Sequence, residues 1–232
     1  LRTFEATLST HLFDEVYVST DDKEIEAIAR QNGASIIARP QTLADDFTGT
    51  IPVIRHAIEV LSSHQPRYIC CIYPASPFVS VSELAAGFEM IQEEDVDFVV
   101  PVCKLPSSVE RSFRLGSDGA IEMCFPEHYE SRTQDLKEAF FDADRFYWGS
   151  VDAWNSQDRI FTDTARGMPL RPDRVCVIDD LDDWGEAESR YRQQDSEATV
   201  KLSSQRENLD EVRAYLEVID EIEHVRSKNN VN

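Results

Sequence analysis

Positive charge is scarce in this sequence. Lys and Arg number 23 against 44 Asp and Glu, a formal net charge of −21. That argues against a nucleic-acid partner, which needs a basic stripe or patch. It leaves phosphate ligands open, because a local cluster or a bound cation reverses the field inside one cleft. Long apolar runs are missing too, and no charged segment leads into an apolar core of the kind that directs secretion. The expectation is a soluble chain with no membrane contact. There is no CxxC pair, and the five cysteines (Cys70, Cys71, Cys103, Cys124, Cys176) mostly sit inside apolar runs. Reduced core thiols in the cytoplasm follow, rather than a disulfide framework or a metal site. No internal repeat organises the chain.

What is present suits one large α/β domain: 232 residues with 41% apolar composition. Apolar residues at 1, 4 and 8 predict a first helix. With neither an initiator Met nor a strand ahead of it, the chain is expected to start inside a domain. Asp14–Asp22 reads as a β-branched strand, Lys23–Gln31 as a helix stopped by Asn32-Gly33, Ser35–Ala38 as a strand, and Pro52–Leu61 as a helix with Pro in its first turn. Tyr68–Tyr73 is a continuous apolar run closed by Pro74 and Pro77, a strand buried on both faces that delivers a loop at its carboxyl end. In open α/β sheets ligands sit at that edge. A helix over 82–94 and a strand over Val96–Val102 follow, so strands and helices alternate, which implies a mostly parallel sheet covered by helices.

The alternation then stops. Two short apolar stretches flank Gly116-Ser-Asp-Gly119, a hairpin signal, and residues 104–141 read as an arm leaving the sheet. Phe140–Val151 returns to the sheet, Arg174–Ile178 reads as a last strand, and a helix starts on the acidic residues from Asp182. The domain is expected to span 1–192. Residues 193–232 read as a polar linker and an amphipathic helix through Leu209, Val212, Leu216, Ile219, Ile222 and Val225.

Six motifs in order resemble the cytidylyltransferases that make CMP-activated nonulosonic acids. They are Leu12–Asp22, Leu43–Pro52, Cys71-Ile-Tyr-Pro-Ala-Ser-Pro-Phe78, Phe125–His128 with Arg132–Leu136, Phe146-Tyr-Trp-Gly149, and Ile178-Asp179 with Asp183-Trp184. Tyr73-Pro-Ala-Ser-Pro77 and Phe146-Tyr-Trp-Gly149 favour the CMP-pseudaminic acid synthetase branch over the sialic acid and KDO enzymes. The resemblance implies a three-layer αβα, Rossmann-like nucleotide-sugar transferase fold with an inserted hairpin arm. It implies attack of a sugar hydroxyl on the α-phosphate of CTP, with Mg²⁺ as the cation and pyrophosphate as the leaving group. A homodimer through the arm is also implied.

Residue by residue, the resemblance places Asp21, Asp22, Arg39 and Thr50 on the nucleotide side. Asp45, Asp46, Tyr73, Ser76, Arg132, Gln134 and Tyr147 fall on the sugar side, with Trp148 beside them, and Asp179 at the metal. Several have a competing structural reading. Asp21 or Asp22 can cap the helix at Lys23, Asp45 and Asp46 can be solvated loop acids, and Tyr147 and Trp148 can be core aromatics. No catalytic residue is assigned.

Three departures stand out. The family's first strand and its basic, Gly-rich phosphate loop have no counterpart, so the chain is expected to lack that segment and to turn over poorly by itself. Its Asp-Ile-Asp metal motif reads Val177-Ile-Asp179, and its Asp-Ala-Gly-Gln reads Asp142-Ala-Asp-Arg145. These departures keep two alternatives open: a non-catalytic binding or assembly protein on the same fold, and a sialic acid or KDO cytidylyltransferase.

Overall fold

The computed structural model describes residues 2–178 and 180–193. The readings for Asp179, for the linker and for the C-terminal amphipathic helix therefore fall outside the described residues, Gln193 apart. The chain divides into two compact units, Leu1–Ile178 and Asp179–Asn232.

The first unit opens with α1 (Arg2–Ser9), β1 (Tyr17–Thr20), α2 (Lys23–Gln31), β2 (Ser35–Ala38) and α3 (Thr50–Val60). Then come β3 (Tyr68–Ile72), α4 (Val81–Ile91) and β4 (Phe98–Lys104). The bounds of α2 and β2 match the sequence reading. The start of α4 is fixed by a capping box: Ser80 accepts from the Glu83 amide while the Glu83 carboxylate accepts from the Ser80 amide. After β4, the arm carries the hairpin β5 (Phe113–Leu115) and β6 (Ile121–Met123). Gly119, at φ 82°, takes the left-handed position its turn requires. The unit closes with β7 (Phe140–Asp142), β8 (Phe146–Ser150), α5 (Val151–Ser156) and β9 (Ala165–Leu170).

β1 and β2 pair in parallel as a two-stranded sheet. The main sheet has five strands. β3 pairs antiparallel with β8, which pairs antiparallel with β4. β7 continues along the same side of β4, and β9 runs parallel to β4 on the other side. The parallel reading thus holds for β3, β4 and β9, with β7 and β8 running against them.

Side chains alternate cleanly across this sheet. Cys70, Ile72, Val99, Phe146 and Trp148 pack with Leu84 and Ile91 of α4. Ile69, Cys71, Tyr73, Phe98, Val100 and Tyr147 pack on the opposite face with Ile51 and Ile58 of α3 and Trp154 of α5. That is the period of two expected of strands covered on both faces, and it gives the three layers.

Three sequence readings change. β3 is covered on both faces, yet all its residues are only half-buried, because among the described residues it pairs on one side alone. Arg174–Ile178 is not a strand. Among the described residues the last strand is β9, concealed in the sequence by Gly167 and Pro169, residues that a strand tolerates best at an edge. Phe140–Val151 returns to the sheet as read, but as two strands, and the cause of the division is Pro101. Its carbonyl accepts from the Ala143 amide at 3.0 Å, but it has no N–H to return on that side. The ladder breaks opposite it, and residues 143–145 leave the sheet between β7 and β8.

In the second unit residues 181–193 are helical. Asp180 caps them, accepting from the amides of Asp182 at 2.8 Å and Asp183 at 2.9 Å. The predicted acidic helix start is present.

Candidate active site

The carboxyl end of β3 and the break between β7 and β8 meet at one place. The Tyr73 amide donates to the Arg145 carbonyl at 2.9 Å. The Ser76 hydroxyl donates to the carbonyls of Asp144 at 3.2 Å and Arg145 at 3.3 Å. Ser76 is buried, so its hydroxyl holds two loops together. The Arg145 side chain, only 2% exposed, forms a two-pronged ion pair with Glu83 at 3.1 and 2.9 Å. Arg174 lies 3.8 Å from the same carboxylate. The Arg145 guanidinium is thereby held by the residue that caps α4.

On the α3 face this scaffold presents a cluster of hydroxyls and carboxylates. Thr50 Oγ1 and the Tyr73 hydroxyl are 2.6 Å apart. The rings of Tyr73 and Tyr147 meet edge to face at 5.5 Å. The Tyr147 hydroxyl donates to Asp142 and lies 3.2 Å from Asp144 Oδ1. Burial pushes both phenols above their ordinary pKa. At Tyr147 the hydrogen bond to Asp142 and the neighbouring charges push further the same way. Neither phenol ionises near neutral pH.

A cavity of about 350 Å³ opens beside the cluster, lined by Phe140, Phe141, Asp142, Phe161, Arg166 and Gly167 among others. Phe161 packs edge to face on Tyr147 at 6.5 Å. Aromatic walls with a few polar groups suit a small polar ligand that carries apolar substituents.

Of the sequence-predicted residues, Thr50, Tyr73 and Tyr147 come together here. Trp148, next to Tyr147 on β8, points to the other face and belongs to the core, its indole N–H donating to the Leu84 carbonyl at 3.2 Å. Asp22 caps α2, accepting from Glu24 at 2.7 Å and Ile25 at 3.0 Å, while Asp21 is exposed beside it. Arg39 ties β2 to β1, donating to the Ser19 hydroxyl at 3.2 Å and carbonyl at 2.6 Å. Asp45 organises its own loop through Phe47 and Thr48, whose N–H and O–H groups hold its carboxyl below the usual range; Asp46 is exposed. Arg132 and Gln134 are exposed on the arm, and Arg132 pairs with Asp135 at 2.8 Å within it.

The sequence reading missed Asp142, Asp144 and Phe161 as site residues. Asp142-Ala-Asp-Arg145 stood out only as a departure, and Phe161 lies in no motif. Cys70, Cys71, Cys103 and Cys124 are free thiols, and burial pushes the Cys71 thiol up to about 12.

A family model described as Cytidylyltransferase matches residues 1–117. The chain is 32% identical over 191 residues to a pseudaminic acid cytidylyltransferase of Campylobacter jejuni, covering 81% of this chain and 82% of that one. It is 33% identical over 176 residues to a Helicobacter pylori protein named as both a pseudaminic acid cytidylyltransferase and a UDP-2,4-diacetamido-2,4,6-trideoxy-beta-L-altropyranose hydrolase. That match covers 75% of this chain and 34% of the relative. Among solved structures, a CMP:2-keto-3-deoxy-manno-octonic acid synthetase complexed with CTP superimposes with a TM-score of 0.58 over 83% of this chain and 87% of that one. At 11% identity it speaks for the fold, and the three-layer architecture agrees with it. The chain belongs to the cytidylyltransferase family, on the branch whose members are named pseudaminic acid cytidylyltransferases.

Proposed function

We propose that the chain transfers CMP from CTP to a nonulosonic acid, pseudaminic acid first among them, and releases pyrophosphate. The observation that carries this is the meeting of Thr50, Tyr73 and Tyr147, from three separate motifs, at the carboxyl end of β3. The similarity to pseudaminic acid cytidylyltransferases supplies the substrate pair. The aromatic cavity beside Tyr147 suits the apolar substituents of such a sugar, and Arg132 and Gln134 of the arm are assigned to its polar groups. Asp21 and Arg39, at the carboxyl ends of β1 and β2, are assigned to the nucleotide side.

Among the described residues no three His, Cys, Asp or Glu side chains gather into a metal cage. Mg²⁺ at a phosphoryl site needs only one or two carboxylates, since water and phosphate oxygens complete its octahedron. Asp179 is the carboxylate assigned to it, and the ion would neutralise charge on the triphosphate.

The arm supports a homodimer. Phe113 faces Met123 and Leu115 faces Ile121 across the hairpin, so all four share one face. Leu115 is 74% and Ile121 69% exposed. A second copy's arm is the partner that would bury this face, and introducing Leu115→Glu with Ile121→Lys should leave monomers in light scattering. No described helix is long and apolar enough to cross a membrane. Free thiols and a CTP-dependent reaction fit a reducing, cytoplasmic compartment.

The test is pyrophosphate release and CMP-sugar formation from CTP and Mg²⁺ with pseudaminic acid, sialic acid or KDO in parallel. Product with pseudaminic acid is expected, formed slowly by the chain on its own. Absence of product with all three would overturn the reading in favour of a non-catalytic homologue.

A further inference from the structure

Phe47 is 95% exposed, more than any other large apolar side chain among the described residues. One exposed apolar residue on a surface needs no explanation by itself. Phe47 differs in what lies under it and beside it. Its backbone is held in a fixed turn by Asp45, whose Oδ1 accepts from the Phe47 amide at 2.9 Å and from the Thr48 amide and hydroxyl at 2.7 and 2.9 Å. The ring is therefore presented to solvent by a built loop, and little ordering remains to be done when a ligand covers it.

The loop also has a defined position at the cleft. Phe47 lies three residues before Thr50, whose hydroxyl is 2.6 Å from that of Tyr73. Three residues of chain span at most about 11 Å, so Phe47 stands at the rim of the same cleft. On its other side the loop runs back to Arg39 at the carboxyl end of β2. The two residues that bracket it, Arg39 and Thr50, are those assigned to the nucleotide. The carboxylates next to the ring, Asp45 and Asp46, are both exposed and repel a triphosphate. What this loop offers a nucleotide is thus an apolar ring face, which matches the flat face of a base and nothing else in CTP.

We propose that Phe47 is the platform on which the cytosine base of CTP stacks, which makes the loop over 44–49 a nucleobase-binding element of the cleft. This rests on the functional reading above. The phosphates and the sugar lie on the Thr50 and Tyr73 side, and the base covers a ring that is otherwise left in water.

The experiment is calorimetric titration of the full chain, with Mg²⁺ present, against CTP and against inorganic tripolyphosphate as a base-free probe. Phe47→Ala and Phe47→Trp are compared with the unmodified protein. Because the ring is almost wholly exposed, both variants should keep its melting temperature. Loss of one base–aromatic stack should weaken CTP binding by Phe47→Ala about 5- to 150-fold and leave tripolyphosphate binding unchanged. Phe47→Trp, which keeps a stacking face, should bind CTP at least as tightly as the unmodified chain. Phe47→Ala that binds CTP as tightly as the unmodified protein overturns the proposal and leaves the cytidylyltransferase reading intact. So does equal weakening toward both probes, which marks a disturbed loop, or a lower mass in light scattering, which marks a contact between copies. No CTP binding by the unmodified protein overturns both.

Discussion

Replacing Glu83 by Ala tests how the site loop is held. Glu83 accepts the Ser80 amide at 3.0 Å to close the cap of α4, and it takes two N–H bonds from Arg145. Arg145 is 2% exposed, and its Nε has no hydrogen-bond partner, so its accommodation depends on this carboxylate. Removing one member of a buried pair leaves an uncompensated charge, which costs about 3–5 kcal/mol. The lost side of the capping box adds to this. For a domain of this size that corresponds to a fall in melting temperature of roughly 6–20 °C. Replacing both residues, Glu83→Ala with Arg145→Met, removes the stranded charge and fills its space with an apolar side chain of similar length. The double variant should recover most of the loss, because a buried pair is often matched by a well-packed apolar substitute. Urea unfolding followed by circular dichroism gives the four stabilities of the cycle. A coupling energy above about 2 kcal/mol is expected, and additivity within about 0.5 kcal/mol would refute the account. Restored stability should not restore turnover in full, since the loop at residues 143–145 would have lost its anchor.

Three other outcomes follow from the geometry. The phenols of Tyr73 and Tyr147 have folded-state pKa values above the ordinary 10.0, so the unfolded chain gives up those protons first. Their stabilisation is complete below about pH 10 and is lost as pH rises, at about 1.4 kcal/mol per pH unit for each phenol. The buried thiols of Cys70 and Cys71 begin the same decline nearer their ordinary 9.0, so in urea unfolding between pH 8 and 11 Tyr147→Phe should flatten only the upper part of the fall. At Gly149 an added Cβ would lie 2.5 Å from the Trp154 indole nitrogen and 2.8 Å from the Phe98 ring, so Gly149→Ala should cost about 1–3 kcal/mol or more by overpacking, measured in the same way. Asp22→Ala should cost about 1 kcal/mol in thermal melts through loss of the α2 cap, and Asp22→Ser should restore it.

Local chemistry made much of the first unit legible in advance. α2 lies between a capping Asp and Asn32-Gly33, β2 is a short β-branched run, and the hairpin is set by Gly116-Ser-Asp-Gly119. Each signal sits inside the element it specifies. β9 was hidden because Gly167 and Pro169 violate strand propensity, and only its position along the outer side of β4 makes them tolerable. Asp22 and Asp45 illustrate the reverse problem. An acidic residue next to a helix or in a loop looks the same in sequence whether it binds a ligand or caps the backbone, and here the backbone amides account for both.

The sequence by itself determined the alternation of elements, the arm and the family, because these rest on composition, spacing and ordered motifs. It also held the reason for the site loop in Pro101, a residue without an N–H in the middle of a strand. Tertiary structure decided what that proline does. Only when β7 and β8 lie along one side of β4 does the missing donor fall opposite residues 143–145 and push them out of the sheet. Residues distant in sequence then meet: Thr50 from the start of α3, Tyr73 from the end of β3, and Asp142, Asp144 and Tyr147 from the broken edge. Hydrogen bonds and ring contacts act over a few ångströms, so which hydroxyl faces which carboxylate is fixed by strand register and cannot be read from spacing along the chain.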